Sequence, residues 1–175
     1  KGNFSSTFTM LKVLNKSGAF SFSQDGRQFA YANGKSGIPI FNTNTFELET
    51  VLNAFCDPGF IFFDENSENI IEIYGDTITK RNIKSGEIVA QKGSVFNRVY
   101  SVTHLKNKLF IGGCNTEVDN SDGIEVFDIN EMSSLKTLKT SYCPFDLSIS
   151  FDGRYISSKF FNNFCILDTY YGTEA

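Results

Sequence analysis

One polar residue returns along the chain at nearly fixed intervals: Asn42, Asn82, Asp128 and Asp168, spaced 40, 46 and 40 residues apart. The apolar runs they close open at Ile38, Ile78, Ile124 and Phe164, and two residues before those stand Ser36, Asp76, Asp122 and Asn162, all in the same step. The unit is clearest from Phe20 to Asn42, FSFSQDGRQFAYANGKSGIPIFN. Phe20 and Phe22 alternate with polar residues, an Asp25-Gly26 turn follows, and further runs cover Phe29 to Ala32 and Ile38 to Asn42. A period of two fits a pleated strand, and Asp-Gly predicts a two-residue hairpin turn. A fourth run recurs as well, since TFTMLKVLN at 7–15 nearly duplicates TFELETVLN at 45–53, and SQDGR at 23–27 is echoed by SFDGR at 150–154. Four repeats of four short antiparallel strands define an all-β chain, and a period of about 40 residues per repeat predicts a β-propeller with one blade each.

The repeats fall at about 7–44, 45–84, 85–130 and 131–170, within a single propeller segment over 1–175. The six extra residues of the third repeat sit between its middle and third strands, where Cys114 to Asp122 makes a long connection. Insertions in a propeller map to loops, and loops carry recognition. At the other end, Asp168 to Thr173 occupies the place of Asn82 to Glu87, after which an outer strand is due. Residues Thr7 to Leu14 would close a four-bladed ring if they supplied that strand; otherwise the four blades are a portion of a larger propeller, the favoured reading. Unclosed, the terminal blades would expose sheet faces and edges.

Charge narrows the partners. Lys and Arg number 16 against 20 Asp and Glu, a net charge of −4, and the basic residues are scattered singly. A phosphate-tracking surface needs them clustered, so direct nucleic-acid binding is not expected. No apolar run reaches about 18 residues, so no membrane insertion is expected, and no secretory signal opens the sequence, which starts at Lys1. Phe is used 19 times and Trp never, and flat rings suit the packing of one twisted sheet on the next. Cys56, Cys114, Cys143 and Cys165 show no CxxC spacing, and with His104 the single histidine no zinc site is expected. Free thiols in a reducing, intracellular compartment, cytoplasmic or nuclear, are the expectation.

The repeat resembles the WD40 repeat over nearly the whole chain. Phe41-Asn42, Phe127-Asp128 and Leu167-Asp168 stand where that family has its Trp-Asp pair, with Arg81-Asn82 a poorer copy. Asp76 and Asp122 match its acidic residue in the turn before the third strand. No Gly-His pair and no Trp is present, so the family's His-Ser-Asp-Trp tetrad is missing from every repeat. Phe29-Ala30-Tyr31-Ala32-Asn33 also resembles the YVTN propeller repeat, which leaves the subfamily open.

No catalytic residue, metal ligand or cofactor is assigned from the sequence. His104 follows an inner strand and is expected to be a solvated turn residue, with no nucleophile organised near it. Glu117 to Gly123 gathers oxygen ligands but lacks the EF-hand spacing and reads as an acidic surface loop. What remains is the face formed by the outer-to-inner and middle-to-third connections. Phe55, Phe96, Arg98, Tyr142 and Phe161 are the expected partner-binding anchors there, being the aromatic and Arg residues that interface hot spots favour. The expected function is a non-catalytic scaffold that mediates protein–protein interaction within a multi-subunit intracellular complex. The alternative is a propeller enzyme or small-ligand or metal binder using carboxylates such as Asp57, Asp76 or Asp119.

Overall fold

The computed structural model describes residues 18–32, 34, 37–54, 58–118, 121–160, 162–170 and 173–174. The strand expected at Thr7 to Leu14 lies outside them. Among the described residues sixteen strands form four sheets of four. The first sheet holds β1 (Phe20–Phe22), β2 (Gln28–Tyr31), β3 (Ile38–Asn42) and β4 (Leu48–Leu52). The second holds β5 (Phe60–Phe63), β6 (Asn69–Tyr74), β7 (Thr77–Asn82) and β8 (Ile88–Gly93). The third holds β9 (Arg98–Leu105), β10 (Lys108–Cys114), β11 (Gly123–Asp128) and β12 (Ser133–Lys139). The fourth holds β13 (Phe145–Ile149), β14 (Tyr155–Phe160), β15 (Asn163–Asp168) and β16 (Thr173–Glu174). Each sheet is an antiparallel meander in chain order. Sheet and sequence repeat are offset by one strand, because β4 completes the first sheet although its residues open the second repeat. These are the blades of a β-propeller.

The recurring polar residues close turns. Asn42 Oδ1 accepts from the Asn44 and Thr45 amides, at 2.9 and 3.2 Å. Asn82 Oδ1 accepts from Ser85 N, Asp128 Oδ1 from Asn130 N and Glu131 N, and Asp168 Oδ1 from Tyr170 N. These side-chain caps hold the turn into the outer strand, which is why Asn and Asp interchange there. Four positions after the cap the backbone is left-handed in three sheets, at Phe46 (φ 58), Gly86 (φ 74) and Met132 (φ 47).

The two SxDGR copies fold alike. Ser23 Oγ donates to Asp25 Oδ1 (2.8 Å) and accepts from Gln28 N (2.8 Å), while Arg27 N donates to Asp25 Oδ1 (3.0 Å). Ser150, Asp152, Arg154 and Tyr155 repeat the same network. The turn is longer than the two-residue hairpin expected: Ser23 N reaches Gln28 O and Gly26 N reaches Ser23 O, with only Gly26 of the Asp-Gly pair left-handed (φ 70). The serine hydroxyl, a partner that the two-residue reading omits, stabilises this wider form. The Arg27 amide and then Ser23 hold the Asp25 carboxyl below its usual range, as the Ser150 hydroxyl and then the Arg154 amide do for Asp152.

Three cores join the sheets in chain order. Ala30, Ile38, Ile40 and Leu52 meet Ile61, Phe63 and Ile70 between the first and second. Ile71, Ile73 and Ile78 meet Leu109, Ile111, Phe127 and Phe96 between the second and third. Phe110, Ile124, Val126 and Leu138 meet Ile156 and Leu167 between the third and fourth. The second and third sheets are therefore covered on both faces. Among the described residues no core cluster joins the fourth sheet to the first.

Candidate functional site: a loop face over the third and fourth sheets

Strand alternation puts the β8–β9, β10–β11 and β12–β13 connections at one end of the sheets. The long β10–β11 loop is built around Asn115. Its amide donates to Ser121 Oγ (2.7 Å), its carbonyl accepts from that hydroxyl (2.6 Å), and its Oδ1 accepts from Glu117 N (3.1 Å). Asn97, from the β8–β9 loop, ties in sideways, accepting from Thr116 N (3.0 Å) and donating to Thr116 Oγ1 (3.1 Å). Residues 115–118 are thereby held with Val118 57 % exposed and Glu117 exposed beside it.

Beneath the loop lies a cluster of phenol, thiol and carboxylate groups. Tyr100 Oη and Cys114 Sγ are 3.3 Å apart, and Cys143 Sγ donates to Asp122 Oδ1 at 3.2 Å. The Cys114 hydrogen bond, then burial, pushes the Tyr100 phenol up to about 12, against an opposing Arg98 hydrogen bond. Burial first, and then the Asp122 hydrogen bond, pushes the Cys143 thiol up to about 11. A thiol so shifted stays protonated at neutral pH, and the thiolate is the nucleophilic form. Cys114, Cys143 and Cys165 are all free, and no group of three or more metal-ligating side chains stands together among the described residues.

Of the expected anchors, Arg98 is exposed at the start of β9 on this face. Tyr142 is half-buried, its ring stacked on Phe160 with centroids 3.9 Å apart and its hydroxyl against the Cys165 thiol. Phe96 corrects the sequence reading: at 3 % exposure it belongs to the core between the second and third sheets. The reason is a slot left by two glycines. A Cβ at Gly113 would stand 2.9 Å from Phe96 Cβ, and one at Gly123 would stand 3.4 Å from the tip of its ring. Phe55 and Phe161 lie outside the described residues, as do Asp57 and Asp119. Asp76 is exposed in its turn and accepts from the Thr77 hydroxyl. Sequence reasoning put Asn97 on this face within 96–98 without giving it a role, and did not name as anchors Val118 or Phe145, which is 40 % exposed with its ring 4.9 Å from Tyr100. The long third-repeat connection was the signal for Val118, and the outer-to-inner loop position the signal for Asn97; Phe145 carried none.

His104 is a second correction. It lies within β9, paired with Leu109, and its ring packs on Phe62 with centroids 4.7 Å apart. Burial pushes its pKa down, so it is a neutral, partly buried ring rather than a solvated turn residue. The strand runs two residues past the expected end, because Leu105 still pairs with Lys108.

No protein-family model and no curated protein matches the sequence. Solved structures do match. A chain of the hydrazine synthase of Kuenenia stuttgartiensis superposes at a TM-score of 0.70 with 14% identity, over 99% of this chain and 51% of that one. A chain of a mitotic checkpoint complex superposes at 0.70 with 14% identity, over 90% of this chain and 48% of that one. This chain thus spans about half the length of each. At such identity the likeness speaks for the fold: these four blades are a β-propeller, as the repeat predicted. No helix among the described residues is long and apolar enough to cross a membrane.

Proposed function

We propose that this chain is a non-catalytic, WD40-like propeller scaffold that binds a protein partner through the loop face over its third and fourth sheets. The observation carrying the reading is the pinned segment 115–118 of the β10–β11 connection, which offers Val118 and Glu117 on the same face as Arg98 while the Cys143 thiol stays protonated. Prearranged loops with an apolar residue, an aromatic edge at Phe145 and an arginine suit a partner surface, where few residues carry most of the affinity. The similarity to a chain of a mitotic checkpoint complex supports membership of a multi-subunit assembly. Three free cysteines support a reducing, intracellular setting. The strand-closing Asn and Asp caps support the WD40 likeness.

Affinity capture with the tagged chain tests this. Arg98→Glu combined with Val118→Asp is expected to abolish recovery of the partner with the melting temperature unchanged, while Lys108→Glu at the opposite end leaves recovery intact. Equal recovery with all three proteins would remove the face from the function. The likeness to hydrazine synthase supports the alternative, a propeller enzyme or small-ligand binder. A melting temperature raised by calcium and restored by chelator would favour it.

A further inference from the structure

A cavity of about 670 Å³ opens between the third and fourth sheets at the end opposite the loop face, a volume within the range of ligand sites. Strand alternation builds its walls. Lys108 and Phe110 on β10, Val126 on β11 and Lys136 on β12 share one side of the third sheet, since Phe110 pairs with Val126 and Val126 with Lys136. That side packs on the fourth sheet, which contributes its Phe151-Asp152-Gly153 turn and Thr169 after β15. The sheets meet at both ends of the cavity. Gly153 seats Leu105 so closely that a Cβ there would stand 3.0 Å from Leu105 Cδ2, and Lys136 Nζ donates to the Thr169 carbonyl. Between these contacts the floor is apolar, made by the buried Phe110 and Val126.

The rim is basic. Lys106, Lys108 and Lys136 line the cavity against one carboxylate, Asp152, in a chain whose net charge is −4. Among the described residues none of the three lysines forms an ion pair. The nearby carboxylates are engaged elsewhere. Asp152 Oδ1 accepts from the Ser150 hydroxyl and the Arg154 amide, Asp128 from Asn107, Asn130 and Glu131, and Asp168 Oδ2 from Arg154. Lysines scattered singly in the sequence are thus gathered by the fold around an apolar slot. Phe151 adds to the slot: it stands where the other SxDGR copy has Gln24, and its ring is 96 % exposed at the rim.

The spacing of the charges selects the occupant. From β10 to β12 they are spread over two strand spacings, roughly 10 Å, and Lys136 is held at its end by Thr169. Spread charges suit an extended chain, which covers that distance in about three residues, better than a single phosphate group. We propose that this cavity binds an acidic peptide segment of a partner protein, with carboxylates on Lys106, Lys108 and Lys136 and one large apolar side chain in the slot between Phe110, Val126 and Phe151. The site does not depend on the loop face at the other end, and the two are occupied independently.

Fluorescence anisotropy with a labelled heptapeptide, three acidic residues on either side of a central Phe, tests this. Saturable binding is expected, several-fold weaker at about 0.3 M than at about 0.05 M salt, and at least about tenfold weaker when Ala replaces the peptide's Phe. Lys106→Glu with Lys108→Glu is expected to weaken binding by at least about tenfold and Phe151→Gln several-fold. The melting temperature stays unchanged in both variants, because these three side chains are exposed. Arg98→Glu with Val118→Asp, at the loop face, leaves peptide binding as it was. Absence of saturable binding, or equal binding by the lysine variant, would overturn the proposal. A fluorescent nucleoside triphosphate that saturates the site where the peptide does not would make the occupant a small phosphate ligand, and would overturn it equally.

Discussion

His104 shows how one residue's chemistry follows from its neighbours. Packed on Phe62 inside β9, it has its pKa lowered from 6.5 by burial alone. Between 6.5 and its lower folded value the unfolded chain binds more protons than the native one, so the stability that this group confers is complete above pH 6.5 and is lost as pH falls through that window. As the single histidine it can be isolated cleanly. Melting temperatures at about pH 7.5 and about pH 5.5 are expected to differ more for the native chain than for His104→Phe. An identical drop in both would place the titration elsewhere. The sequence located His104 to within a residue or two of a strand end but not its burial, because burial depends on the second sheet supplying Phe62. Phe96 makes the same point: its loop position was readable, whereas the slot made by Gly113 and Gly123 arises only when β10 and β11 lie side by side.

Pairs of strands set the chemistry of the blade interiors. Glu72 on β6 and Arg81 on β7 form an ion pair at 2.5 Å with both side chains almost fully buried, and Arg81 Nη1 also donates to Gly86 O at 3.0 Å. That carbonyl belongs to the left-handed residue of the β7–β8 turn, so the pair ties the two strands to the turn that ends them. Removing one partner leaves a buried, uncompensated charge. Glu72→Ala is expected to cost about 3–5 kcal/mol, read as a lower urea midpoint at unchanged slope. Replacing both residues with Leu is expected to cost much less, and an equal loss would show that packing rather than charge is at stake. The alternation of β6 and β7 was legible in the sequence. The pairing of Glu72 with Arg81 was not, since the two are nine residues apart and meet diagonally across a hairpin, Glu72 standing opposite Thr79.

Across the whole molecule, coverage is uneven in a way that predicts dynamics. Among the described residues the middle strands β6 and β10 lie in sheets packed on both faces, whereas β2 and β14 lie in sheets packed on one. Amide exchange is therefore expected to be slowest in β6 and β10 and measurably faster in β2 and β14, and uniform protection would mean that the terminal faces are covered in solution. The repeat of strand-closing Asn and Asp, with period-two alternation between them, was enough to determine four blades of four antiparallel strands. Those features act locally: a side-chain cap fixes a turn, and a turn fixes which strands are neighbours. Which face each blade buries, whether a ring on the loop side is an anchor or a plug, and that the Cys143 thiol is held protonated were decided only by the tertiary structure. They depend on what the adjacent blade brings within a few ångströms, and residues from different blades are too far apart in the chain for local pattern to encode their meeting.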